Sequence, residues 1–561
     1  MRFISAFAVA ASLVALGGCA LMYDYSDFRE EDTPGEGGAG GNGGTGGAGG
    51  TGGAGGSGGS AGSGPCEPNV TESCFTGPPS AQYVKPCQPG TRTCLANGTW
   101  GTCEGEILPG VELCRRDGSE SCNAVTCPEA DWNRRYGDDK EQEVLAAAVD
   151  GDGNVLLAGR YQGVLALAAS AGLTLGPTNE VTTDDAFVAM LSSTGTPAWI
   201  QGFGSIGKQP RRAVGAVWGA PKGQAITVGY YTRAQSPDDR DGFLAWGTGS
   251  TTNLVRLDGA GNEEPVAVAV DKQGYAYLTG TVRGTGSLPC IGGMAADYDA
   301  ADEDLFVMSY DVAFSQCRWA RVFPGGTHKP RAMAVDAGGD IFVTGSYTGT
   351  MAVPGVPVDD AGATVRAFVL KLDGMAKAQW ARTFADAEGA AVAVEPSGIS
   401  SKVFVTGTMN GTVDFGNQPF PTNGKDAFVL TLDKTSGNTT WSTYLTGAQE
   451  QHGTSIALTA DGGALVAGHF FGTLDVSADV ELTSRDNNVF LLKLSANGSP
   501  SLAYQFGGAG EPAMPRSVRV SAGPSGMILA GGWIHPLDLQ PNVVLAPGGA
   551  LDIFVARFPK P

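Results

Sequence analysis

Arg366-Ala367-Phe368-Val369-Leu370-Lys371-Leu372-Asp373 is the stretch that decides the fold. Phe368, Leu370 and Leu372 alternate with the polar Lys371 and Asp373. A period of two marks a β-strand. A phenylalanine followed by an aliphatic residue recurs at Phe187, Phe243, Phe306, Phe368, Phe428, Phe490 and Phe554, seven copies spaced 56 to 64 residues apart. Seven evenly spaced strands of one kind predict one strand in each of seven repeats.

Three further signals recur around each Phe strand. A Val strand carries Val149, Val217, Val270, Val335, Val394, Leu458 or Val520. A Gly strand ends in Gly159, Gly229, Gly280, Gly345, Gly407, Gly468 or Gly531, where glycine lets the backbone leave the strand at angles that other residues resist. A Trp strand carries Trp132, Trp199, Trp319, Trp380, Trp441 or Tyr504; the remaining one, near Val255, lacks the aromatic. Read from Trp319, the unit runs Trp strand, Val strand, Gly strand, Phe strand. Four antiparallel strands joined in order form a meander, and seven such meanders predict a seven-bladed β-propeller over residues 129–561. A spare Trp strand at 131 to 136 precedes the first full unit, and none follows Phe554. It is expected to pair antiparallel with the Phe554 strand and close the ring, removing the exposed edges.

The repeat resembles the bacterial seven-bladed propeller repeat family (SBBP repeats). The matching residues are clearest in Gly411-Thr412-Val413-Asp414-Phe415-Gly416, then Asp426-Ala427-Phe428-Val429, then Trp441. The resemblance implies a secreted or surface protein and no single reaction.

The chain has 561 residues and a formal net charge of −21, which opposes binding to nucleic acid and to anionic membrane surfaces. At the N-terminus, Met1-Arg2 leads an apolar stretch from Phe3 to Leu16, followed by Gly17-Gly18-Cys19. This is the length of a signal-peptide core, not a membrane span. It resembles a bacterial lipoprotein signal, with residues 1–18 removed and Cys19 acylated. Ala20, where inner-membrane retention favours Asp, implies the outer membrane; several acyl chains make a stable anchor. Within 19–64, residues 35 to 64 repeat Gly-Gly-Xaa without proline. That composition predicts a disordered tether with a span on the order of 30 Å.

Residues 65–128 hold Cys66, Cys74, Cys87, Cys94, Cys103, Cys114, Cys122 and Cys127. An even number in an exported chain predicts a disulfide-stapled spacer of undetermined connectivity. The run from Glu112-Leu113-Cys114 to Ser121-Cys122-Asn123 resembles a Cys/Asp-rich metal-binding repeat of bacterial surface proteins. The segment has no Cys-x-x-Cys and no histidine, so disulfides are the stronger reading. Cys290 and Cys317, the two propeller cysteines, are expected to pair within one blade.

No catalytic, cofactor or metal residues are predicted. Gly202 to Lys208 fits a phosphate-loop pattern, but Gln209 replaces its Ser or Thr and no helix follows. Asp150-Gly151-Asp152-Gly153-Asn154 is similar to a calcium loop without its central Gly and distal Glu, and aligns with a hairpin turn. His328, His452, His469 and His535 are read as lying in four different blades. Long loops after the Gly strand and intermediate loops before the Val strand share one face, the expected binding face. Pro210-Arg211, Pro330-Arg331 and Pro515-Arg516 place Arg211, Arg331 and Arg516 before Val strands, around the channel mouth or paired with local carboxylates. The expected function is an outer-membrane lipoprotein presenting its propeller as a binding scaffold for a protein or glycan. The alternatives are a propeller hydrolase or lyase acting on extracellular polymers, and a structural surface component.

Overall fold

The computed structural model describes residues 66–77, 82, 87–108, 110–114, 127–176, 184–203, 211–219, 224–233, 236–249, 252–290, 296–313, 315–395, 401–422, 424–477, 480–507, 517–523, 526–540, 543–546 and 548–560. Cys19 and the glycine-rich tether lie outside them. The chain forms two compact units. The smaller one, within 66–110, pairs Thr71–Cys74 with Gly90–Thr93 and is stapled by Cys66–Cys94 and Cys74–Cys103. Cys87 is also disulfide-bonded, and Phe75 packs on it. With so small an apolar core, the bridges carry the stability.

The larger unit contains seven four-stranded antiparallel sheets, the blades of a β-propeller. From the inside outwards, blade one is Gln142–Val149, Val155–Tyr161, Asp185–Leu191 and Pro197–Phe203. Blade four is Gly325–Val335, Ile341–Met351, Arg366–Leu372 and Ala378–Ala385. The seven Val strands are innermost, and each contacts the next in cyclic order back to the first. The Trp strand is the outermost strand of the blade whose Phe strand precedes it, not the first strand of the next unit. The reason is the tight turn: Asp373 Oδ1 accepts the Met375 and Lys377 N–H groups, 3.0 and 2.9 Å, and folds the Trp380 strand back on the Phe368 strand.

The ring closes in blade seven. Trp132–Tyr136 pairs antiparallel with Asp552–Phe558, with Trp132 opposite Arg557 and Tyr136 opposite Ile553. The larger unit also takes in residues that the sequence reading grouped with the cysteine segment. Glu112–Cys114 adds a parallel fifth strand to the edge of blade six, and Cys114 bridges to Cys127 just before the closing strand.

Alternation in the Phe strands does not separate core from solvent. Phe368, Leu370 and Leu372 pack towards blade three, while Ala367 and Val369 pack towards blade five. Both faces are buried because every blade lies between two others. Even Lys371 is buried, its Nζ paired with Asp340 Oδ2 at 2.7 Å and donating to the Lys434 carbonyl at 3.1 Å.

In every blade the strand-ending glycine is the cross-strand partner of the phenylalanine. None of the seven takes a positive φ, so the reason is close approach, not backbone freedom. A Cβ on Gly407 would stand 2.0 Å from the Glu388 carbonyl and 2.9 Å from the Phe428 ring. The equivalent carbonyl comes as close in blade seven, whose inner strand does not bulge: a Cβ on Gly531 would stand 1.9 Å from the Ser517 carbonyl. Six of the seven inner strands shift register at this point, as between Pro330 and Ala332.

The outer tryptophans join each blade to the next. Trp132 donates its indole N–H to the Ser193 carbonyl, Trp319 to Gly374, Trp380 to Lys434 and Trp441 to Ala496, all at 3.0 to 3.1 Å. Each acceptor lies in the turn after the next Phe strand. Gly195, Gly437 and Gly498 sit there at φ 71–87°, and a Cβ on any of them would lie 2.6–2.8 Å from the indole. Tyr504 does the same for blade seven, donating to the Pro128 carbonyl at 2.9 Å. In blade two, Asn253 stands at the tryptophan position, and its cross-strand partner Trp246 packs on Tyr310 of blade three, centroids 5.6 Å apart. Within blade three, Cys290 and Cys317 form the expected disulfide, Cα–Cα 4.9 Å.

A chain beginning at residue 140 loses the closing strand and should melt well below the full chain or aggregate. Trp132→Ala alone should cost about 3–5 kcal/mol, a large share of the usual stability of a domain. Scanning calorimetry giving all three the same melting temperature would refute closure by this strand.

Candidate functional site: the loop-face channel mouth

The two ends of the propeller differ in chemistry. At one end, short turns close on their own side chains. Asp150 Oδ1 accepts the Asp152 and Asn154 N–H groups at 3.0 and 2.8 Å; Asp271 and Asp336 do the same in blades three and four. The calcium-like sequence at Asp150 is therefore a hairpin turn whose carboxylate is already engaged. Among the described residues, no group of three or more His, Cys, Asp or Glu could hold a metal ion.

At the other end the long connections are not simple loops. Several are β-arms: Leu165–Ala168 with Leu173–Leu175, Thr412–Asp414 with Pro419–Pro421, and ladders running on from the blade in Tyr275–Leu288 and Ala464–Ser477. Inside them, the inner-strand residue just before the glycine's partner forms a ring. It is Glu143, Arg212, Glu264, Lys329, Glu388, His452 and Ser517 in blades one to seven. The carboxylates of this ring have partners. Glu143 pairs with the buried Arg160, which also binds Glu141 and Asp184, each at 2.9 Å. Glu264 pairs with Arg240 at 2.7 Å, and Glu388 accepts from Ser346 Oγ at 3.3 Å. Lys329 is exposed and, among the described residues, makes no hydrogen bond or ion pair.

The histidines do not lie in four different blades. His452 and His469 are cross-strand partners in blade six, stacked with centroids 4.7 Å apart. They flank the hairpin formed by the Leu458 and Gly468 strands, which brings them together in one blade. His452 Nε2 lies 3.3 Å from Glu450 Oε2, and its Nδ1 lies 3.2 Å from Thr408 Oγ1. Burial and the neighbouring His452 push the His469 pKa down from 6.5 to about 4, against the pull of Glu450. His328 is structural. Fully buried, its Nδ1 accepts the Leu305 N–H of blade three at 3.1 Å and its Nε2 bonds the Thr350 carbonyl at 3.0 Å.

The three Pro-Arg pairs do not share one register. Arg211 begins the inner strand of blade two opposite Tyr231, the level of His328 in blade four. Arg331 is the bulged residue of blade four, three positions deeper. Arg516 lies outside the described residues, as does Lys208 of the phosphate-loop pattern. The residue missed in the sequence is Arg519. It follows Val518, the partner of Gly531, and pairs with Ala530, which places it level with the Arg331–Ala332 bulge of blade four. Leu145, Val214, Val266, Ala390 and Thr454 occupy that place in the other blades. Aligning the inner strands on their glycine partners reveals it; aligning them on the valines does not.

No family model matches this sequence, and no curated protein does. Among solved structures it is similar to a quinohemoprotein alcohol dehydrogenase from Comamonas testosteroni, at 11% identity, 76% of each chain covered and a TM-score of 0.36. It is also similar to the parainfluenza virus 5 hemagglutinin-neuraminidase ectodomain, at 10% identity over 60% of this chain and 78% of that one, TM-score 0.28. A third is the Hadza microbial sialidase Hz136, at 11% identity over 68% and 75%, TM-score 0.33. Likeness this distant carries no argument about chemistry.

The depressed His469 pKa has a consequence for stability. Between pH 6.5 and about 4 the unfolded chain takes up a proton that the folded chain refuses, so stability falls as pH falls through that window. His469→Phe should flatten the melting temperature between pH 7 and 4.5. Parallel curves for variant and parent would contradict the assignment.

Proposed function

We propose that this protein is an exported lipoprotein that holds a rigid propeller out from the outer membrane as a binding scaffold. The ligand meets the face that carries the β-arms and the polar ring. The observation behind this reading is the asymmetry of the two ends. One is closed by turns whose carboxylates are engaged; the other offers an exposed Lys329, without a partner among the described residues, within a ring of charged and polar residues. A rigid frame carrying variable arms is the usual arrangement for recognition. Cys19, outside the described residues, supplies the anchor in this reading, and the Gly-rich stretch supplies reach.

Two measurements test it. Cys19→Ser should move the protein from the membrane fraction to the soluble fraction; lipid-bearing, membrane-bound Cys19→Ser protein would rule out the anchor. On arrays of acidic and neutral glycans and of surface proteins, the full chain should bind a ligand that Lys329→Glu loses. Lys377→Glu, an exposed change in a short turn of the opposite face, should retain it. Equal loss from both substitutions would place recognition elsewhere.

A further inference from the structure

The inner strands put two arginines at one level of the central channel, from opposite sides. Arg331 belongs to blade four and Arg519 to blade seven, and both follow the residue paired with the strand-ending glycine. Blades four and seven share no interface, so the channel is the space in which these side chains meet.

Among the described residues, neither arginine is hydrogen-bonded or ion-paired to a carboxylate. Arg519 is held in place: Nε donates to the Leu145 carbonyl of blade one at 2.7 Å and Nη1 to the Val518 carbonyl at 2.9 Å. Both acceptors are neutral backbone oxygens. Arg331 is exposed and, among the described residues, makes no hydrogen bond or ion pair. The nearest ring carboxylates, Glu143 and Glu388, are engaged with Arg160 and Ser346. The residues at the same level in the other blades, Leu145, Val214, Val266, Ala390 and Thr454, bring no negative charge. Burial works most against the Arg519 cation; Glu143 supports it, and Arg331 acts against it more weakly than Glu143 supports it. Two like charges facing one channel repel each other unless an anion lies between them.

We propose that the channel, at the level of Arg331 and Arg519, binds a doubly charged oxyanion: a phosphate group, free or as a monoester, or free sulfate. A guanidinium presents a planar fork of N–H donors that matches two oxygens of such a group, and two forks from opposite walls clasp it. Lys329, two positions nearer the mouth in blade four, adds charge along the way in. The net charge of −21 works against a long polyanion but is screened for a small one, since charges beyond about 8 Å count little at physiological ionic strength. The inference deepens the binding-scaffold reading by naming a ligand class for the same face.

The test is a titration of the full chain with inorganic phosphate and, separately, with glucose 6-phosphate, at constant ionic strength set by sodium chloride. Phosphorus NMR linewidths and calorimetry read direct binding, which avoids the general stabilisation that phosphate gives any protein. Arg331→Ala should weaken binding about 10- to 100-fold, the worth of one charge-assisted contact. It should leave the circular dichroism spectrum unchanged, because Arg331 holds nothing in place. Arg519→Lys keeps the charge, loses the fork and should also weaken binding. Equal affinities for the two probes mark a free anion as the ligand; tighter binding of the ester marks a phosphorylated one. No binding of either probe, or binding that Arg331→Ala leaves intact, overturns the proposal. If the array ligand of the previous section still depends on Lys329 in that case, the scaffold reading stands without it.

Discussion

Everything in this propeller depends on how one blade grips the next, and at four of the seven junctions the grip is a hydrogen-bonded indole. A tryptophan on the outer strand crosses the gap, packs its ring on a turn and donates its N–H to a carbonyl of that turn. The turn carries a left-handed backbone against the ring, which Ala376 adopts in the turn that Trp319 meets. Glycine fills that place at 195, 437 and 498. A single such hydrogen bond adds about 1 kcal/mol, but the indole it orients is also buried apolar surface. The ring form means that no grip can be lost at an end.

The ring also explains why the N-terminal strand of the larger unit lies with its last one. Blade seven takes its outer strand from Trp132–Tyr136. Trp132 then grips the turn at Ser193 in blade one, while Tyr504 of blade six reaches the Pro128 carbonyl at the entry to that strand. The extra strand Glu112–Cys114 and the Cys114–Cys127 bridge tie the approach to the closing strand onto blade six. Closure is thus a property of side chains from three blades.

The fold was largely legible in the sequence because its markers do separate physical jobs. Phe and Gly face each other across one ladder, so their spacing shows the repeat whatever the loops do. The frame of the unit was harder to read. A Trp strand looks the same whether it opens a blade or ends one, and only the Asp373 turn chemistry decides. Alternation misled in another way: it tells which neighbour a side chain meets, since water touches neither face of a middle strand. The site was less legible than the fold. His452 and His469 are brought together by a hairpin, and Arg331 and Arg519 by opposite sides of a ring. Contacts of the second kind leave no local pattern, because the two residues share neither a strand nor a blade.

Amide hydrogen exchange measured strand by strand tests closure, the central claim, most directly. If the ring is closed as described, the amides of residues 133–136 are protected to the same degree as those of 553–557, and both sets exchange together in one cooperative opening. Exchange of 133–136 at the rate of an open loop, with 553–557 still protected, would contradict it.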